Sequence, residues 1–434
     1  MPKPLPIVRL TLEAIVGGGQ ALGTLENGQK CFVWGGLPGE EVEVQLTKRK
    51  RTYAEGVVDA VTRPSPERIA PLDSDSYLST SPWQIMNFAA EQRYKIKLIE
   101  EAFALHHITL PRPTTMYSDE QTTHYRNKVE FSWYGNSKKE GETASETLDL
   151  AFFRRGSKGK IPIETCSLLP DTMLQLAQHI RDILHSKGIY ARSLKTLLIR
   201  CDQTGQCVWQ LYVKDEAEYI TAQEAEALPA LGGEVIYSDP RSPASRITKR
   251  LAQFGTIVLT DTILDTPFRY ATEGFFQVNL PVYEQALRDM AQWIPTGAAV
   301  VDIYSGVGSI GLTIGGERCT LIEVDEHAVR EMKRNIIQRR SNAAAILASS
   351  ETTLHFITSS NLIIVDPPRA GLHPKVVARL LEAKPQRILY LSCNPATQAR
   401  DISVLMPTYK ITHHQGYNFF PRTPHIEHLA VLDV

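Results

Sequence analysis

Residues 300–312 read VVDIYSGVGSIGL. An apolar run of strand type carries Asp302 near its end. Gly306 and Gly308 follow, where the backbone can turn tightly and approach a ligand. A G-x-G after a strand fits many nucleotide binders, so its neighbours have to decide. Working outward, AAVVDIYSG, CTLIEVD, NLIIVDPP and RILYLSCN read as strands with helical patterns between them. This alternation beyond residue 290 predicts a parallel, doubly wound α/β sheet. In such sheets ligands bind outside the carboxyl ends of the strands.

Four of those strand ends carry polar or glycine-rich sequence. Glu323 lies 21 residues after Asp302, the spacing at which an acidic residue reaches a ribose diol. The first loop lacks the third glycine that opens a pyrophosphate site, and no G-x-x-x-x-G-K-[ST] occurs. A nucleoside-bearing cofactor without phosphates fits, and S-adenosylmethionine is the obvious one. The other reading is an ordinary glycine-rich turn followed by a surface glutamate. In VDPPRAG, Asp366 leaves the third strand, and Pro367-Pro368 keep the residues before them out of helix geometry, which holds the carboxylate at the pocket rim. Cys393 closes the next strand and points toward the same ligand, unless it is a buried core cysteine.

The remaining features bound the class. A chain of 434 residues is too long for one compact domain. With 43% hydrophobic and 22% charged residues it has the composition of a soluble protein with real cores. No apolar run approaches the ~20 residues that span a bilayer, and the N-terminus has no signal-peptide pattern, so a cytoplasmic location is expected. The six cysteines are scattered without a C-x-x-C pair, which suggests neither a zinc site nor a disulfide scaffold. The net charge of −1 does not announce a nucleic-acid partner, but a local basic patch can coexist with a balanced total. Lys48, Arg49, Lys50 and Arg51 form such a run; alone it reads equally as a solvated hairpin tip. Residues 1–62 alternate apolar and polar residues between glycine turns, which predicts a small OB-type β-barrel. Residues 63–262 are expected to hold a linker and a central α+β domain, with a helix at about 88–110 packing on the catalytic domain, and 263–434 the doubly wound domain.

A methyl donor beside a cysteine suggests an acceptor that needs one. C5 of a pyrimidine is a poor nucleophile until a thiolate adds at C6, and the C5 proton must afterwards be removed by a base. Glu427, in NFFPRTPHIEHLAVL, is a candidate base; read blandly it is a surface carboxylate on an edge strand, and His425 a structural histidine.

DPPRAG, ILYLSCNPAT and FFPRTPHIE together resemble the RNA uracil-5 methyltransferase family, whose members make 5-methyluridine in tRNA and large-subunit rRNA. The resemblance extends to GGGQALG…VWGGLPGEEVEV, which looks like the family's TRAM barrel, to YRNKVEFS at 125–132 and to FFQVN at 275–279. It implies a Rossmann-like class I methyltransferase domain with an N-terminal TRAM barrel and a central RNA-binding domain. By the same resemblance Cys393 is the nucleophile and Glu427 the base. Gln277, Tyr304, Gly306, Gly308, Glu323 and Asp366 contact S-adenosylmethionine, Arg369 and Asn394 support the substrate pocket, and Lys48–Arg51 contact RNA phosphates. The implied partner is RNA, 23S rRNA first and tRNA second, with no membrane; a monomer is expected. A protein that keeps the RNA-binding barrel but has lost catalysis is the rival from another class.

Two positions depart from the family. Where rRNA-directed members place cluster cysteines before P-x-Q, this chain has Leu78, Ser79, Thr80 and Ser81, and only Cys166 stands at a ligand position. One thiolate cannot hold an iron–sulfur cluster, so no cluster and no metal is expected. Between Glu323 and Asp366, Ser349 or Ser350 stands where the family has an acidic or amide residue near the adenine.

Overall fold

The structure, a computed structural model, describes residues 5–135, 147–157 and 159–434. The chain divides into two compact units, Met1–Ala90 with Thr122–Leu259, and Glu91–Gln121 with Thr260–Val434.

The first unit begins with a closed barrel of β1 (Ile7–Ile15), β2 (Ala21–Thr24), β3 (Lys30–Trp34), β4 (Glu41–Arg49) and β5 (Tyr53–Arg63), in the order β1-β2-β3-β5-β4. Its alternating strands send Leu10, Leu12, Cys31, Val33, Val42, Val44 and Leu46 inward, as a pleated strand with one buried face must. A short helix, α1 (Tyr77–Thr80), follows. The rest of the unit is a seven-stranded sheet. Its strands are β7 (Lys128–Tyr134), β8 (Asp149–Phe153), β9 (Lys160–Pro162), β10 (Leu194–Cys201), β11 (Cys207–Val213), β12 (Gly232–Tyr237) and β13 (Lys249–Gly255), ordered β13-β12-β11-β10-β7-β8-β9. Helix α3 (Asp171–Ser186) buries Met173, Leu176, Ala177, Ile180 and Leu184, the one-sided spacing of an amphipathic helix. A one-turn helix, α4 (Ala222–Glu226), carries a capping box from Thr221 and Glu224.

The second unit contributes α2 (Phe88–Ala104, from Glu91 on), a short strand β6 (Met116–Tyr117), and a two-stranded ribbon of β14 (Val258–Ile263) and β15 (Thr266–Ala271). Helix α5 (Leu280–Ala291) leads into the main sheet. Alternating strands and helices follow: β16 (Ala299–Ile303), α6 (Ser309–Ile314), β17 (Cys319–Glu323), α7 (Glu326–Arg339), β18 (Ala344–Leu347), β19 (Asn361–Val365), α8 (Pro374–Ala383), β20 (Arg387–Ser392) and α9 (Pro395–Leu405). The chain ends in β21 (Lys410–Tyr417) and β22 (Glu427–Asp433). The sheet order is β18-β17-β16-β19-β20-β22-β21-β6.

The four strands read from sequence lie side by side in parallel. β18 continues the parallel pattern beside β17, whereas beyond β20 the sheet departs from it. β22 inserts antiparallel between β20 and β21, so Glu427 opens an interior strand rather than an edge strand. Leu429–Leu432 are wholly buried; such an unbroken apolar run needs cover on both faces, which an interior position supplies.

Candidate active site

The register of the sheet assembles the site. Ile303 pairs with Ile322 on one side and Val365 on the other. The next residues, Tyr304, Glu323 and Asp366, therefore form one row across the carboxyl ends of β17, β16 and β19. On the far side of β20, Ser392 pairs with His428. In an antiparallel ladder this puts Cys393 across from Glu427.

The cofactor half of this row is held by hydrogen bonds. Tyr304 adopts a left-handed φ of 68°, uncommon for a bulky residue and typical of functional turns, and its hydroxyl lies 2.9 Å from the Ser350 hydroxyl. Ser350 is thus placed in the site, as one of the two serines singled out after β18. One Glu323 oxygen accepts the Gly306 N–H at 2.9 Å, and the other accepts Val324 and Asp325 N–H, each at 2.8 Å. Gly306 has φ +56° and a Cβ there would meet nothing within 4 Å, so the loop leaves open space. Gly308 is different: at φ +87° it caps α6, and a Cβ would press on Leu312 at 2.9 Å. Beneath the loop, fully buried Asp302 accepts the Gly311 N–H at 2.9 Å. Burial, reinforced by the charges of Asp366 and Glu323, pushes its carboxyl up to about 8. Gln277 is buried just before Asn279, which caps α5.

The other half holds the reactive groups. Cys393 is half-buried between β20 and α9, whose N-cap is Asn394. Burial, then the charges of Glu427 and Asp366, push its thiol up to about 12, against the opposing pull of Arg369. Glu427 is buried at 4% exposure; loss of hydration and the Asp366 charge raise its carboxyl well above the usual range. Burial likewise lifts Asp366 to about 7. Two carboxylates and a thiol withdrawn from water cannot all ionise cheaply, so protons are retained among them. Arg369 carries the compensating charge. Its backbone carbonyl accepts Asn394 Nδ2 at 2.9 Å and Thr397 Oγ1 at 3.1 Å, and its guanidinium lies 3.4 Å from His425 Nδ1. The His425–Arg369 contact gives the histidine a place in the pocket wall that its sequence context did not reveal.

The basic run is divided by its turn. Lys48 ends β4 in an ion pair with Glu55 at 2.7 Å and lies over the Tyr53 ring. Arg49, Lys50 and Arg51 are exposed at the β4–β5 turn. Sequence reading missed Arg155, whose guanidinium stacks 4.2 Å from the Trp34 ring and donates to the Leu78 carbonyl.

Around the departed cluster positions, side chains form a polar knot. The Asp73 carboxylate accepts the Ser167 N–H and hydroxyl and the Gln84 amide; Gln84 also donates to Ser81 Oγ at 2.6 Å. Cys166 lies in the apolar core of the middle sheet, and burial pushes its thiol up to about 12.

Comparison with known proteins agrees with this geometry. Residues 354–433 match the family described as tRNA (Uracil-5-)-methyltransferase, and residues 7–58 match the TRAM domain. An RNA methyltransferase of Enterococcus faecalis is 29% identical, over 92% of each chain. One from Nitratidesulfovibrio vulgaris is 27% identical, over 98% of this chain and 95% of that one. The crystal structure of Pyrococcus abyssi tRNA (uracil-54, C5)-methyltransferase in complex with S-adenosyl-L-homocysteine superimposes with a TM-score of 0.79. It covers 98% of this chain and 100% of that one, at 21% identity. Fold and strand-end site together define a class I methyltransferase domain carried with a TRAM barrel. Two stretches of the chain thus match the tRNA (Uracil-5-)-methyltransferase and TRAM families, and nearly its whole length is similar to RNA methyltransferases. No helix among the described residues is long and apolar enough to cross a membrane.

Proposed function

We propose that this protein methylates C5 of a uridine in RNA, using S-adenosylmethionine and a covalent bond between Cys393 and C6 of the uracil. The observation that carries the reading is the register of β20 and β22, which sets one thiol against one buried carboxyl beside the cofactor row. The residues fit the cofactor. Open space at Gly306, a fixed Glu323 carboxylate with lone pairs to spare, and exposed Val324 beside it suit a loop, a ribose diol and an adenine face. When bound, S-adenosylmethionine supplies the methyl group as an electrophile.

The chain's own residues do the rest. Cys393 gives up its proton to Asp366, which leaves Glu427 free for the later step, and its sulfur adds to C6. Electron density moves to C5, which becomes the nucleophile. Once C5 carries the methyl, Glu427 takes the C5 proton, the Sγ–C6 bond breaks, and the C5–C6 double bond re-forms. The uridine must leave its stack to reach a site this deep in the strand ends. Arg49, Lys50 and Arg51 supply phosphate contacts from the barrel. Large-subunit rRNA is the substrate suggested by the sequence. tRNA is the second reading, because the fold is shared along nearly its whole length with a tRNA enzyme; the architecture favours neither.

The test is trapping. Transcribed 23S rRNA and tRNA containing 5-fluorouridine are incubated with the protein, with and without S-adenosylmethionine, and separated under denaturing conditions. Fluorine at C5 cannot leave as a proton, so a cofactor-dependent adduct should accumulate and disappear in Cys393→Ala. Sequencing the trapped RNA then identifies the target. RNA binding without any adduct would instead favour the decayed, RNA-binding reading.

A further inference from the structure

The segment that leads into Glu427 is fastened to a helix more than 300 residues earlier in the chain. Lys95 on α2 has no exposed surface, and its ammonium donates to Asn418 Oδ1 at 2.6 Å and to the Phe420 carbonyl at 3.0 Å. Glu91, one turn before it and equally buried, lies 3.2 Å from that ammonium. The Glu91 carboxylate also accepts Asn418 Nδ2 at 2.9 Å and the Arg422 N–H at 3.0 Å. Arg422 sits at φ 64°, a left-handed conformation that needs outside support in a residue with a side chain, and Glu91 holds its amide. The loop is then locked internally. Thr423 Oγ1 donates to the Phe420 carbonyl at 2.7 Å and accepts the His425 N–H at 3.3 Å. Only Ile426 separates His425 from Glu427.

Two opposite charges buried together are a costly way to gain stability, because desolvation offsets most of their attraction. Here four polar contacts from the pair converge on one short loop, Asn418–Arg422. We infer that Glu91 and Lys95 are positioning residues for proton removal: by fixing the Asn418–His425 loop they set where the Glu427 carboxylate lies relative to the uracil C5–H. This inference rests on the role given to Glu427 above. The contacts above run to the loop that leads into Glu427, so the step the pair governs is resolution of the adduct, after sulfur addition and methylation.

The experiment uses the full chain with Glu91→Gln, Lys95→Met and the double substitution, which removes both charges at once. Each is given S-adenosylmethionine with transcribed RNA in two forms, ordinary uridine and 5-fluorouridine. Trapping on 5-fluorouridine RNA should proceed within about twofold of wild type. On ordinary RNA, the denaturation-resistant adduct should accumulate about tenfold or more, because a displacement near 1 Å is enough to slow a positioned step strongly. Wild-type release of methylated RNA, with no accumulated adduct, would overturn the inference. So would loss of trapping together with a lowered melting temperature in all three variants, which would make the pair purely structural. If wild-type protein itself traps no 5-fluorouridine RNA, the failure lies with the proposed function instead.

Discussion

The two halves of the catalytic sheet solve different problems with similar residues. On the β17–β16 side, the Glu323 carboxylate accepts three backbone N–H donors, and Tyr304 meets Ser350. On the β20–β22 side, Glu427 and Cys393 face each other, their charged forms disfavoured by burial and by neighbouring negative charge, Asp366 acting on both. A carboxylate that receives several N–H bonds is a fixed acceptor, suited to hold a ligand. A carboxyl kept from ionising easily is a proton carrier, suited to chemistry. Under the proposed function, the β17–β16 side binds and the β20–β22 side reacts.

That contrast breaks most visibly at Glu427. Glu427→Gln should lower turnover on the order of 1,000-fold, the scale of a positioned base. Cofactor binding by titration calorimetry should stay unchanged, and adduct should persist on ordinary RNA. Glu323→Ala should do the reverse, weakening S-adenosyl-L-homocysteine binding roughly 10- to 100-fold, as expected for lost hydrogen bonds to a charged group. Turnover at saturating cofactor should be largely kept.

In the barrel, replacing Arg49, Lys50 and Arg51 together with alanine should lower RNA affinity. It should also reduce the slope of log affinity against log salt by about 2, from three lost phosphate contacts to single-stranded RNA. Lys48→Ala should change that slope least, since Glu55 already neutralises it.

The smallest effect is the sharpest test of the reactive half. With its thiol near 12, Cys393 should be alkylated by iodoacetamide at a rate that keeps rising tenfold per pH unit from pH 7 to 10. Removing the Glu427 charge takes away a cause that raises the thiol, so Glu427→Gln should speed alkylation at fixed pH. Arg369→Gln removes the opposing cation and should slow it.

The glycine turn, Glu323, Asp366 and Cys393 were legible because parallel strands carry a strong local signal, an apolar run with a polar end. The placement of Glu427 was legible only as chemistry. β22 is apolar from Leu429 to Leu432, and nothing local distinguishes an edge strand from one inserted between two others; long-range pairing with β20 decides it. The same applies to β6, two residues long and paired with β21. In sequence, Glu91 and Lys95 cannot be told from surface charges, since a spacing of four residues is also that of a solvated ion pair. Only the loop that covers them makes them interior.

The division of the chain has a consequence for how the molecule is made. Glu91–Gln121 belongs to the catalytic unit, yet Thr122–Leu259 of the other unit is translated before the rest of that unit appears. Thr115 finds Gln415 at a separation of 300 residues. At 5–20 residues per second, α2 and β6 wait on the order of 15–60 seconds on the ribosome without their sheet. A C-terminal fragment starting at residue 260 would carry Cys393 and Glu427 but neither β6 nor the buried pair that covers their loop. Synthesis order therefore makes the catalytic half the last part of the protein to close, and the part that a truncated transcript cannot supply.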